Sequence, residues 1–292
     1  MFGLLNIHKP AGPTSHDVVA RIRRLLPRRT RVGHTGTLDP FASGVLVVCV
    51  GPATRLADLL ADAPKQYRAE VMFGATSTTD DPEGDISPTP GAAPPDEARL
   101  RTAMSALVGR ISQVPPAFSA VHVEGRRSYQ LARAGQAVPL AAREVVVQSI
   151  ELAALEGPRA ALVIDCGKGV YIRALARDLG AALSCGAYCS ALTRTRVGRF
   201  TLETAVPLGD LTGQNLADHL LPARLAVADW PNLEMPPDVI ADIQLGRAIP
   251  APAAVAGPNV AALDAAGRLI ALCELDADAG LLRPRRVFTS TG

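Results

Sequence analysis

The segment Gly33-His34-Thr35-Gly36-Thr37-Leu38-Asp39-Pro40-Phe41-Ala42-Ser43-Gly44 runs without a break into Val45-Leu46-Val47-Val48-Cys49-Val50. An apolar run without polar alternation can face water on neither side. It predicts a strand inside a sheet that is covered on both faces. The residues before it then form a loop at the end of that sheet. Gly33, Gly36 and Gly44 let its backbone take torsions closed to other residues and approach a ligand closely. Asp39, carried on such a loop beside a buried strand, is a candidate for catalysis. The plainer reading of Asp39-Pro40 is a turn. The loop is not a phosphate-binding loop, because no Gly-Lys-Ser/Thr follows its glycines and no Gly-x-Gly-x-x-Gly is present.

The flanking segments supply the remaining elements. Thr14 and Asp17 have capping-box spacing and open an amphipathic helix whose buried stripe is Val18, Ile22 and Leu25, with Arg21 and Arg24 turned away from it; Pro27 ends it. From Tyr67 to Phe73 the pattern alternates, with Tyr67, Ala69, Val71 and Phe73 on one face and Arg68 and Glu70 on the other. Residues 82–95 carry five prolines and predict a loop. A helix is expected over 97–108, and strands near 144–152 and 160–166. Between them, residues 110–143 are rich in Pro and Arg with little periodicity and predict an insertion projecting from the core. The turn Cys166-Gly167-Lys168-Gly169 leads into a helix from Tyr171 to about Leu183. After Asp229-Trp230-Pro231 the tail has short strand-like pieces at 260–264, 269–274 and 285–289 and no long helix. Mixed strands and helices predict an α+β fold with a mixed sheet. We divide it into a catalytic domain, 1–228, with the insertion at about 110–143, and a small β-rich domain, 229–292.

Charge is informative in its distribution. Residues 1–60 hold eight basic residues against three acids, and residues 110–143 hold five arginines against Glu124 alone. Two basic zones fit a surface that follows phosphates. Only Lys9, Lys65 and Lys168 among the 30 basic residues are lysine. A lysine that persists in so Arg-rich a chain marks a place where ammonium and guanidinium are not equivalent. The five cysteines are scattered, which predicts reduced, buried thiols in a cytoplasmic protein. The longest aliphatic run is too short to cross a bilayer, and Met1 to Asn6 has no secretion-signal pattern.

Two further candidates stand out. Tyr67 heads the alternating strand on its apolar face, as core or as a stacking surface. Tyr171-Ile172-Arg173 opens a helix after a glycine turn, where Arg173 and Arg177 lie on one face and suit contact with phosphate or carboxylate.

Together these segments resemble the bacterial TruB family of tRNA pseudouridine synthases over nearly the whole length. Gly3-Leu4-Leu5-Asn6-Ile7-His8-Lys9-Pro10-Ala11-Gly12-Pro13-Thr14-Ser15 is similar to the family's lysine-proline motif. The segment from Gly33 to Gly44 resembles its catalytic loop, Lys65-Gln66-Tyr67-Arg68 its tyrosine motif, and Lys168-Gly169-Val170-Tyr171-Ile172-Arg173 its arginine motif. Cys185-Gly186-Ala187 and Leu192-Thr193-Arg194 continue the match. Thr78 stands where relatives often carry an acid, which leaves Asp80 and Asp81 as alternatives for the local role. The resemblance implies that Asp39 is the catalytic aspartate, that Tyr67 stacks on the target uracil and takes part in proton transfer at C5, and that Arg173 pairs with Asp39. It implies that His34 lies by the flipped nucleotide, that Tyr171 and Leu192 wall the base pocket, and that Lys9 and the insertion contact or shape the RNA surface. The tail resembles a PUA domain. The implied substrate is the T-arm uridine at tRNA position 55, with no cofactor, no metal and no obligatory protein partner. A guide-directed RNA pseudouridine synthase and a tRNA-folding chaperone are the alternatives.

Overall fold

The computed structural model describes residues 1–119, 122–123, 126–127, 140–252, 255 and 257–288. Its main strands are β1 (Gly3–Lys9), β2 (Ser43–Val50), β3 (Lys65–Phe73), β4 (Gly109–Gln113), β5 (Arg143–Glu156), β6 (Arg159–Cys166) and β7 (Ala187–Val197). They form one sheet in the order Val206–Pro207, β1, β2, β7, β3, β6, β5, β4, with Val32–His34 added to β2 and Phe200–Thr201 to β7. The pairs β2·β7 and β1·Val206–Pro207 are parallel and the others antiparallel, so the sheet is mixed.

The apolar run of β2 is buried on both faces, and alternation divides it. Val45, Val47 and Cys49 join one hydrophobic cluster; Leu46, Val48 and Val50 join another. The second cluster receives helix α1 (Ser15–Arg24) through Val18, Val19 and Ile22. The α1 start is the expected capping box: the Thr14 hydroxyl accepts the Asp17 N–H at 3.1 Å, and the Asp17 carboxylate accepts the Thr14 N–H at 2.9 Å. On the other half of the sheet, Tyr67, Ala69, Val71 and Phe73 of β3 pack under α2 (Glu97–Ala106) and α3 (Ile172–Ala182).

Strand β7 has no clean period in the sequence, yet it lies at the centre of the sheet, between β2 and β3. Register shifts between Cys189 and Ala191 and between Arg194 and Arg196 break its alternation, which hides the period-2 signal. β7 also explains Gly44. That residue has φ +112°, and a Cβ there would sit 2.2 Å from the Arg194 carbonyl oxygen, so only glycine lets β2 and β7 meet.

The expected insertion needs a narrower boundary. Gly109–Gln113 pairs with Arg143–Val147, so residues 110–113 and 143 belong to the sheet edge. Most of the segment between them, 120–121, 124–125 and 128–139, lies outside the described residues.

The tail contributes helix α4 (Pro237–Gln244) and strands β8 (Asn259–Leu263), β9 (Leu269–Asp276) and β10 (Leu281–Val287). A five-stranded sheet runs Asn232–Glu234, β8, β9, β10, Ile249–Pro250. Its inner face is not separate from the main sheet: Ala261, Leu272 and Phe288 share a cluster with Leu4, Val45 and Val47. The Phe2 and Phe288 rings stack with centroids 5.3 Å apart, and Arg286 pairs with Asp58 at 2.5 Å.

Candidate active site

The Asp39 loop is held from below by three side chains distant in sequence. Lys9 directs its ammonium at the carbonyls of Pro10 (2.9 Å), Pro13 (2.8 Å) and Pro40 (3.3 Å). The Ser15 hydroxyl donates to the Leu38 carbonyl at 3.0 Å and accepts its N–H at 2.8 Å. Arg194 donates to the carbonyls of Gly36 (3.1 Å), Thr37 (3.2 Å) and Val45 (2.7 Å). With Ala42 N–H on the Asp39 carbonyl at 3.2 Å, each carbonyl from Gly36 to Pro40 has a donor. A glycine-rich loop is thereby converted into a rigid support.

Lys9, expected to contact or shape the RNA surface, lies inside the protein and shapes the Asp39 loop from within. None of Lys9 is exposed, and its three N–H bonds are directed at carbonyls. Burial lowers its pKa to about 8, against the pull of the Asp39 carboxylate. Lys65 behaves alike, donating to Ala61 and Ala63 carbonyls at 2.7 Å each. Carbonyls converging on one point suit a compact ammonium and not a planar fork, which accounts for two of the three lysines. The third, Lys168, is an exposed partner of Asp62. Lys9→Met is expected to leave the Pro10 and Pro13 carbonyls without this donor, Pro40 keeping the Gly12 N–H at 2.8 Å, and to cost at least about 2 kcal/mol. Lys9→Arg is expected not to recover it. Urea unfolding midpoints measure both, and parental stability of Lys9→Met would remove Lys9 from this role.

Arg173 lies in the first turn of α3 and is 3% exposed. Its Nε and Nη2 donate to the two Asp39 carboxylate oxygens at 2.9 and 3.1 Å, a bidentate pair. Its Nη1 donates to the Asp81 carboxylate (2.9 Å) and the Thr79 carbonyl (2.8 Å), and Nη2 also to the Phe118 carbonyl (2.9 Å). All five N–H donors of the guanidinium are thus used. The choice left open between two acids is resolved: Asp81 is the second partner of Arg173, while Asp80 pairs with Arg177 at 2.9 Å. Arg173 and Arg177, four residues apart, therefore have separate carboxylate partners, and Arg173 faces inward. Asp80 sits at φ +61°, and burial pushes its carboxyl above the usual range despite Arg177.

A cavity of about 270 Å³ opens beside this pair, lined by Asp39, Tyr67, Tyr171, Leu192 and Arg194 among others. That is small for a ligand pocket and suits one flat ring. Tyr67 is 7% exposed; burial raises its phenol pKa, and Arg194 beside it pulls the other way. Tyr171 caps α3, and the buried Gln113 side chain fixes its backbone twice, donating to the carbonyl at 3.1 Å and accepting the N–H at 2.9 Å. Burial raises the Tyr171 phenol as well. His34 is not among the residues lining the cavity; its Nδ1 accepts the Gly36 N–H at 3.3 Å at the base of the loop. The structure thus gathers Asp39, Arg173, Tyr67, Tyr171 and Leu192, selects Asp81 of the two alternative acids, and adds Gln113 and Arg194. For Arg194 a signal exists: strand alternation from Leu192 puts it on the same face. Gln113 acts across a long sequence separation, and no local pattern marks it.

Comparison with known proteins agrees with this assembly. Residues 23–172 match the family model for the TruB family pseudouridylate synthase N-terminal domain, and residues 173–228 match that for the tRNA pseudouridylate synthase B C-terminal domain. The chain is 43% identical over 276 residues to the tRNA pseudouridine synthase B of Mycobacterium sp. (strain KMS), covering 93% of this chain and 92% of the relative. It is 50% identical over 220 residues to that of Thermobifida fusca (strain YX), covering 73% and 75%. Among solved structures, it resembles a chain of an H/ACA RNP bound to a substrate RNA containing 2′-deoxyuridine. That match has a TM-score of 0.73 and 27% identity, over 99% of this chain and 85% of the other. A Cbf5-Nop10-Gar1 complex gives a TM-score of 0.70 at 30% identity, over 94% and 78%. With matched models spanning most of the catalytic sheet and relatives at this identity over nearly the full length, the chain belongs to the TruB family of pseudouridylate synthases.

Proposed function

We propose that the protein isomerises a uridine of tRNA to pseudouridine, acting on the T-arm uridine at position 55. The observation that carries this is the bidentate Arg173–Asp39 pair opening on a one-ring cavity with Tyr67, Tyr171 and Leu192 in its walls. A uridine within folded RNA is inaccessible, so it must be flipped out and held on an aromatic and apolar surface. Its N1–C1′ bond breaks, the base turns, and a C1′–C5 bond forms. Asp39 acts by attack on C1′, by addition to C6, or by removal of a ribose proton. Each route needs an ionised carboxylate in a fixed place, which the locked loop and the Arg173 fork supply.

The RNA is held by charge outside the pocket. Arg21, Arg23, Arg24, Arg28, Arg29 and Arg31 are all exposed on and after α1. We assign them, the segment between Gln113 and Arg143, and a PUA-like tail from residue 229 to the RNA surface, with residues 1–228 as the catalytic unit. The relatives named as tRNA enzymes are 40–50% identical, against 27–30% for the RNP chains, which favours a tRNA substrate over a guide-directed one.

The test is incubation of the purified protein with an unmodified tRNA transcript, without guide RNA or partner proteins, followed by mapping of pseudouridine. One modified site in the T arm is expected. No product, or product only at other sites, would overturn the assignment.

A further inference from the structure

Arg194 is a buried cation that has no carboxylate partner among the described residues. Its side chain is 2% exposed, and at the Asp39 loop and β2 it donates to the carbonyls of Gly36, Thr37 and Val45. Among the described residues no carboxylate lies within ion-pairing distance of it, whereas Arg173 and Arg177 each have two. Keeping a full charge buried against neutral groups is costly, and a neutral donor could tie down a carbonyl as well. The register shows what else the charge faces. Arg194 on β7 is the direct cross-strand partner of Tyr67 on β3, and both line the cavity with Asp39. The other ionisable groups facing the Tyr67 phenol are Cys166 on β6 and Asp39 in the loop, and both act against its ionisation. Arg194 is thus the cation placed to favour it.

We propose that Arg194 is a positioning residue for the reaction: one guanidinium fixes the Asp39 loop and at the same time orients and polarises the Tyr67 hydroxyl across the pocket. This rests on the assignment of the pocket to uridine isomerisation. Once the C1′–C5 bond has formed, the C5–H bond breaks and its electron pair forms C5=C6, while the C6=N1 π pair moves onto N1, which takes a proton from solvent; on the C6-addition route the Asp39–C6 bond breaks instead and its pair returns to the carboxylate. The C5 proton passes to the Tyr67 oxygen, which enters the step as phenolate and leaves it as phenol. An adjacent fixed cation favours the phenolate.

The experiment is a double-mutant cycle of Arg194→Gln and Tyr67→Phe in single-turnover assays on tRNA transcript, across a pH series. Arg194→Gln is expected to slow the bound step at least about ten-fold with RNA affinity within about three-fold, and to cost at least about three-fold less once Tyr67 is Phe, the remaining loss being that of the Asp39 loop. It is also expected to move the alkaline rise in rate to higher pH, because loss of a cation raises the phenol pKa. Arg194→Lys keeps the charge and loses part of the fork. It should leave the profile in place while still slowing the step. Equal losses in both Tyr67 backgrounds with an unmoved profile would overturn the proposal. Should Arg194→Gln fail to fold, the pH profile of Arg194→Lys decides: an alkaline rise left in place supports the proposal, and one moved as for loss of the cation counts against it. A parent protein that makes no pseudouridine refutes the assigned function instead, so the two failures are distinguishable.

Discussion

Asp39→Asn is expected to bind tRNA within about three-fold of the parent and to isomerise it at least about 10⁴-fold more slowly. The amide has nearly the shape of the carboxylate. The loop is held through its backbone by Lys9, Ser15 and Arg194, not through the Asp39 side chain. The amide nitrogen cannot accept from Arg173, so one of the two bonds of the fork is lost, but Arg173 keeps Asp81 and two carbonyls. The fold should therefore survive, while the group that attacks, adds or removes a proton is gone. Filter binding and single-turnover assays separate the two effects. Loss of binding and of the folded state together would make Asp39 a structural turn residue.

Arg173→Ala is expected to be damaging in both respects. It takes the cation from Asp81, whose side chain is 4% exposed, and leaves the Thr79 and Phe118 carbonyls without this donor. Removing one member of a buried ion pair costs about 3–5 kcal/mol, far more than the pair contributes against an apolar replacement. Isomerisation should fall on the order of 10²–10³-fold even in the molecules that remain folded, since the Asp39 carboxylate is no longer held at both oxygens. Arg173→Lys should recover part of the stability and little of the rate. An ammonium has three donors on one atom and cannot span two carboxylates and two carbonyls. Urea unfolding with single-turnover rates on the folded fraction tests this, and a lysine variant turning over at the parental rate would refute it.

Much of this is legible in the sequence. The unbroken run from Val45 to Val50 announced a strand covered on both faces, Thr14 and Asp17 announced a helix start, and Tyr67 to Phe73 announced a half-buried strand. Each is a local pattern imposed by local geometry. The resemblance brought Asp39, Tyr67 and Arg173 to one site, and the structure gives their contacts. What stayed hidden is non-local. The resemblance places Lys9 at the RNA surface, and no local pattern shows the convergence of the Pro10, Pro13 and Pro40 carbonyls that accounts for its burial. Asp80 and Asp81 are neighbours in sequence and differ only in which arginine reaches them. The bulges of β7 hide its extent, so that the pairing of Arg194 with Tyr67 across the strands shows only in the fold, although alternation from Leu192 gives its face. The helix Pro237–Gln244 begins at a double proline, which reads as a loop until the first turn is seen to use Pro at its start.

The cluster that holds Phe288, Leu272 and Ala261 against Leu4, Val45 and Val47 has a mechanical consequence. Strand β2 enters this cluster at Val45 and carries the Asp39 loop immediately before it. The tail is thus bolted to the same beam that bears the reactive carboxylate, with Arg286 and Asp58 as a second fastening. Eight strand residues span about 25 Å, and a paired strand does not telescope. Under the proposed assignment of the tail to RNA, a substrate that reaches both the Asp39 loop and the tail meets them at a separation set by this shared core, so length is measured by the beam.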